Sequence, residues 1–137
     1  MNDALDWDET SAPSLEEFEA IAQRAYAGLP DAVRSVCAGL VIRIEDFPDD
    51  ETLTAMNCDS EFDLLGLFQG QGLAQAEASS QSGTMPNMVW LYRRPILDYW
   101  AGHEDTLGEI VRHVLIHEIG HHVGLSDDDM AAIESSD

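Results

Sequence analysis

The chain has 137 residues, 45% of them hydrophobic, which suits one compact domain able to bury its own core without disulfide staples. Six Lys plus Arg stand against 27 Asp plus Glu, and the resulting net charge of −21 excludes nucleic acid and anionic membranes as expected partners, because both are held by basic contacts to phosphate. The same charge would favour a basic peptide or protein as substrate, although solubility alone accounts for it.

Residues 1–13 carry Asp3, Asp6, Asp8 and Glu9 with no basic residue, and are expected to form a disordered acidic tail ahead of a single domain over 14–137. Trp7 within that tail is a group that could dock onto the domain. No basic start followed by an apolar run opens the sequence, and no stretch approaches eighteen apolar residues, so a cytoplasmic protein is expected. Ser14 and Glu17 make an S-x-x-E capping box, after which Phe18, Ile21, Ala22, Ala25 and Leu29 recur at helical spacing until Gly28-Leu29-Pro30 stops the run. Asp31 to Cys37 reads as a second, short helix. Residues 40–47 are β-branched and end at Pro48, which predicts a strand, and 52–56 offer a candidate third strand. Cys37 and Cys58 lack the C-x-x-C spacing of a redox or zinc-ribbon motif and read as free buried thiols.

From Asp59 to Pro86 the chain is rich in Gly, Ser, Ala and Gln, which predicts a long loop, either a plain surface loop or a lid. Residues 88–93 form a second, almost wholly apolar strand that Pro95 ends, and Ile96 to Trp100 suit a helical turn. A long helix follows from Thr106. Leu107, Ile110, Val111 and Val114 fall on one face, and Glu118 and His121 continue it, with His117 at its margin. Ile116, Ile119 and Val123 cover much of the opposite side, so the helix is expected to be embedded on both sides, with its core stripe turning polar toward the end.

That polar turn is His117-Glu118-Ile119-Gly120-His121, followed by Gly124 and Asp127. An α-helix advances about 100° and 1.5 Å per residue, so His117 and His121 stand about 40° apart on one face with about 6 Å of rise. Both imidazoles can therefore reach one metal ion. Glu118 lies beside them without being forced to ligate, the placement of a general base. Three protein ligands and one open position mark a catalytic zinc, whereas structural sites close all four and favour Cys. Two imidazoles and a carboxylate would also suit iron(II). For the third ligand the spacing after Gly124 favours Asp127, with His103 and Glu104 as the other candidates. Asp127 also fits a plain role at the acidic start of the last helix, which Ser126 can cap. His113 extends the imidazole row, but three imidazoles at successive i+4 positions span about 12 Å and cannot all reach one ion, so it reads as packing or support. His122, Tyr92 and Tyr99 are candidate oxyanion donors.

His117, Glu118, His121, Gly124 and Asp127 match the H-E-x-x-H-x-x-G-x-x-D signature of zincin-type metallopeptidases. Together with Leu64 to Gly70 and the strand ending Leu91-Tyr92-Arg93-Arg94-Pro95, they make the chain from about Ser14 onward resemble the small bacterial zincin-like minimal metallopeptidases. The resemblance implies an α+β, zincin-like fold with a small mixed or antiparallel sheet packed against a central helix bearing the motif. It also implies zinc held by His117, His121 and Asp127, with Glu118 as base. The larger metzincins carry His in place of this Asp and a long downstream segment for their Met-turn, and Met130 follows too closely to take that part. The expected activity is zinc-dependent peptide-bond hydrolysis by metal-activated water. A non-catalytic zinc-stapled binding module and a zinc hydrolase of small amides are the alternatives.

Overall fold

Six helices and three strands run through residues 6–37, 39–70 and 87–135, the parts that this computed structural model describes. The first helix, α1 (Leu15–Ala27), starts where the sequence places it. Ser14 Oγ accepts from the Glu17 N–H at 3.1 Å and the Glu17 carboxylate accepts from the Ser14 N–H at 2.8 Å, so two of the unpaired donors at the helix start are satisfied. Phe18 and Ala22 on its inner face are fully buried. Helix α2 (Asp31–Val36) follows Pro30, and strand β1 (Val41–Glu45) comes next.

Residues 50–55 are helical, not a strand: α3 (Asp50–Ala55) is nucleated by Asp49, whose carboxylate accepts from the Thr52 N–H at 2.8 Å. A local cap has outweighed the β propensity of Thr52 and Thr54. The third strand is β2 (Gly66–Gln69), inside the glycine-rich stretch that reads as a loop. A Cβ on Gly66 would lie 2.7 Å from Val114 Cγ1 and 3.0 Å from the Trp90 carbonyl oxygen, so only glycine lets the strand come this close to its neighbours. Residues 71–86, on which the lid expectation falls, lie outside the described residues, as do residues 1–5 of the acidic tail.

Strand β3 (Met88–Tyr92) is central. The order is β1-β3-β2, with β1 parallel and β2 antiparallel to β3, so the sheet is mixed. Leu91 pairs with Ile44 on one side and Gly66 on the other and is fully buried. Helix α4 (Arg93–Ala101) continues directly from β3, and Pro95 falls in its first turn, where a missing N–H costs no helical bond. Helix α5 (Leu107–Val123) opens on a second capping box, Thr106 with Glu109, and α6 (Asp127–Ser135) closes the chain. The fold is α+β.

Helix α5 is the spine of the core. Leu107, Ile110, Val111, Val114, Leu115, Ile116, Ile119 and Gly120 are buried along it, and α1, the sheet, α4 and α6 all pack on it, as its two apolar sides require. Cys37 is buried and Cys58 half-buried, both as free thiols. At the N-terminal side, the Arg93 Nε–H donates to the Pro13 carbonyl at 2.6 Å and its Nη1 pairs with Asp46 at 3.0 Å, while Trp7 stands 70% exposed. Among the described residues no helix is long and apolar enough to cross a membrane.

Candidate active site

The end of α5 and the whole of α6 are set by the turn between them. Gly124 takes the left-handed conformation (φ 84°) that ends helices, and the Leu125 N–H closes on the Gly120 carbonyl at 2.8 Å. Ser126 then caps α6: its hydroxyl accepts from the Asp129 N–H at 3.0 Å and its own N–H donates to the Asp129 carboxylate at 3.1 Å. Helix α6 runs back along α5. Met130 is buried against Gly120, and one helical stretch further on, Arg112 of α5 donates to the carbonyls of Ile133 (2.8 Å) and Glu134 (2.9 Å). A guanidinium thus holds carbonyls at the end of α6, where the helix's own N–H donors run out.

On the side facing the sheet, Glu118 is half-buried under β2. Burial pushes its carboxyl above the usual glutamate range, only partly offset by the nearby His121 and by a hydrogen bond from the Phe68 backbone N–H. Next to it the ring of His122 stacks on Phe68, with centroids 4.2 Å apart and planes 16° off parallel. Burial, helped by His121, lowers the pKa of His122 and so favours the neutral imidazole. Tyr92, at the end of β3, is buried, and its phenol is pushed up to about 12 by that burial and by Asp49, Glu45 and Glu118. It stays a neutral donor at any working pH. Tyr92 and His122 therefore stand on the Glu118 side. Tyr99 does not: it lines a cavity on another flank and stacks on His103, whose Nδ1 is 2.6 Å from the Tyr99 carbonyl.

The expected metal ligands lie on the same two helices but are not drawn together. The rings of His117 and His121 are 6.1 Å apart between centroids, His121 is exposed, and Asp127 is the exposed first residue of α6. The cluster that does converge among the described residues is His113, His117 and Glu134, whose ligand atoms all lie within 4.8 Å of one another. The Glu134 carboxylate accepts from His113 Nδ1 and, at 3.2 Å, from His117 Nε2. Burial works to raise the Glu134 pKa, but the two imidazoles outweigh it and hold the carboxyl below the usual range. The sequence reading missed Glu134. No local signal marks it, since it is one acidic residue among many in the last helix. The helical row His113-His117 was the sole hint that something on that face needed a partner.

The chemistry of these donors fits zinc. Two imidazoles one helical turn apart, carboxylates on an adjoining helix and no cysteine nearby make a nitrogen and oxygen set with room for an open position. Beside that set stands Glu118, a half-buried carboxylate whose pKa burial raises. A cavity of about 710 Å³ opens beside His113 and Glu134, not beside Glu118 and His121.

The sequence model of a family described as zincin-like metallopeptidase matches residues 37–136. Among solved structures, the chain is similar to a conserved hypothetical protein from Thermo thermophilus, at 17% identity and a TM-score of 0.50, covering 80% of this chain and 94% of that one. At that identity the likeness speaks for the fold alone. Among curated proteins, none matches.

Proposed function

The chain belongs to the zincin-like metallopeptidase family, and from that premise we propose that it is a zinc-dependent peptidase in which His117, His121 and Asp127 hold the metal and Glu118 is the general base. The observation that carries this reading is the state of Glu118. It is half-buried, shifted up in pKa by that burial, beside His121 and tethered by a backbone N–H. A carboxylate kept only for helix solubility would be exposed and unshifted.

When bound, zinc supplies Lewis acidity, making water acidic near neutral pH and stabilising charge on the scissile carbonyl oxygen. Glu118 takes the proton from water as the carbonyl is attacked, then passes it to the leaving amine nitrogen. The Phe68 backbone N–H beside Glu118 favours the ionised carboxylate that takes this proton. Tyr92 and His122, both neutral, are the nearby groups suited to donate to the developing oxyanion. Among the described residues, strand β2 pairs with β3 on one side only, so its other edge is where an extended peptide would align by adding a strand. The net charge of −21 favours basic peptides there.

The test is cleavage of a peptide library by the wild type and by Glu118→Gln at matched zinc loading. General acid–base catalysis contributes roughly 10²–10⁴-fold, so turnover should fall by about that much with zinc content retained. Equal cleavage by both proteins would overturn the role of Glu118. Peptides of graded length separate a peptidase from a hydrolase of small amides, and cleavage by neither protein would favour the zinc-stapled binding module.

A further inference from the structure

Glu134 has no part in the proposed reaction, yet both its backbone carbonyl and its carboxylate are held by side chains of α5. Arg112 fixes the backbone of Ile133 and Glu134 to α5 through two hydrogen bonds. The Glu134 side chain then spans His113 and His117, one carboxylate oxygen to each. Those two imidazoles stand 4.1 Å apart between centroids, closer than His117 and His121 at 6.1 Å. Two imidazoles and one carboxylate within 4.8 Å of one another are a complete three-ligand set for a divalent ion of the zinc type. The set borders the cavity of about 710 Å³, which His113 and Glu134 line along with Leu65, Tyr99 and Val114, so a fourth position would open into that space.

We propose that His113, His117 and Glu134 form a second metal position for zinc or a similar divalent ion, and that it excludes occupation of the His117/His121/Asp127 position because the two share His117. Nε2 of His117, the ring nitrogen farther from the helix backbone, is the atom that faces Glu134, at 3.2 Å. One nitrogen lone pair holds one ion. Metal at the Glu134 position therefore withdraws a ligand from the catalytic position. The chain holds one zinc in either of two places, and only one of them adjoins Glu118. From the proposed catalytic site the inference borrows the sharing of His117 and nothing else.

The experiment uses zinc chloride as the probe and direct metal binding as the readout, by calorimetry and by metal analysis after desalting. In the His121→Ala/Asp127→Asn variant the catalytic set is broken but the second set is whole, and one zinc per chain should still bind. Adding His113→Asn or Glu134→Gln to that variant should weaken binding by at least about tenfold, the usual effect of losing a metal-site partner. His113 is exposed, so its substitution leaves folding intact, and circular dichroism confirms this for each protein. Absence of zinc from His121→Ala/Asp127→Asn, or binding there that neither added substitution weakens, would overturn the second position. The His113→Asn/Glu134→Gln variant, with His121 and Asp127 intact, should keep its one zinc. Loss of that zinc would overturn the proposal of two exclusive positions. None of these results depends on turnover: absence of zinc from His121→Ala/Asp127→Asn strikes the second position alone, loss from His113→Asn/Glu134→Gln strikes the His117/His121/Asp127 ligand set as well, and Glu118→Gln tests the peptidase reading separately.

Discussion

Gly120, inside the metal motif, is expected to be irreplaceable for a reason unrelated to metal. A Cβ at this position would lie 2.4 Å from Met130 Sδ and 2.8 Å from Met130 Cγ, where ordinary contact needs about 3.5–4 Å. Met130 is 1% exposed and fixes α6 to α5, so it has little room to move aside. Two effects oppose each other in Gly120→Ala. Alanine gains about 1 kcal/mol over glycine in a helix interior. Overpacking a filled core costs about 1–3 kcal/mol. The steric effect should win, leaving Gly120→Ala destabilising by up to about 2 kcal/mol. Met130→Ala alone should cost about 2–5 kcal/mol by opening a cavity. In that background the sign reverses, because the new Cβ meets empty space, and Gly120→Ala should recover about 1 kcal/mol. The assay is denaturant unfolding of the four proteins in chelator, with a coupling of about 1–3 kcal/mol expected from the cycle. Stabilisation by Gly120→Ala of equal size in both backgrounds would refute the contact.

Two further outcomes follow from the site. In the His113→Asn/Glu134→Gln background, where the second position is broken, Asp127→Ala and His121→Ala should each lower zinc affinity sharply, and full affinity with Asp127→Ala there, measured by calorimetry, would remove Asp127 from the ligand set. The second concerns the metal-free protein, where burial raises the Glu118 pKa above its unfolded value. A raised acid contributes stability that is full below the unfolded pKa, about 4.3, and is lost as pH rises through the folded pKa. Metal-free Glu118→Gln should therefore be more stable than the wild type at pH 7, with the gap closing as pH falls toward 4. Parallel stability profiles across that window, read by thermal melts in chelator, would contradict the buried environment of Glu118.

Much of the frame was readable in the chain because its signals are local. The apolar period from Leu107 to Ile119 marks a helix covered on two sides, and that is how α5 sits. Residues 41–45 and 88–92 are runs of β-branched and apolar residues, and both are strands. What escaped had a non-local cause or a local competitor. The four residues of β2 are strand because Gly66 allows close approach to Val114 and Trp90, a reason that only the folded chain contains. The helix at 50–55 hides behind β-forming side chains and is declared by Asp49 alone. The Thr106–Glu109 box has the same form as Ser14–Glu17 and was there to be read. Within the site, the spacing of His117 and His121 places them on one helix face. The link from Glu134 to His117 depends on α6 folding back at Gly124, and the residues between them carry no trace of it.

The tether on Glu118 comes from a peptide group and not from a side chain. No ordinary substitution at position 68 can delete it, since every residue but proline carries the same N–H. The Phe68 ring has a separate task, stacking on His122. One position thus holds two inheritances that can drift apart: the ring can change with the packing around His122, while the N–H beside Glu118 passes unaltered from one variant to the next. The point of genetic weakness moves elsewhere. It falls on Gly66, two residues upstream, a position with no chemistry of its own, where any side chain would lift β2 from Val114 and carry the donor away with it.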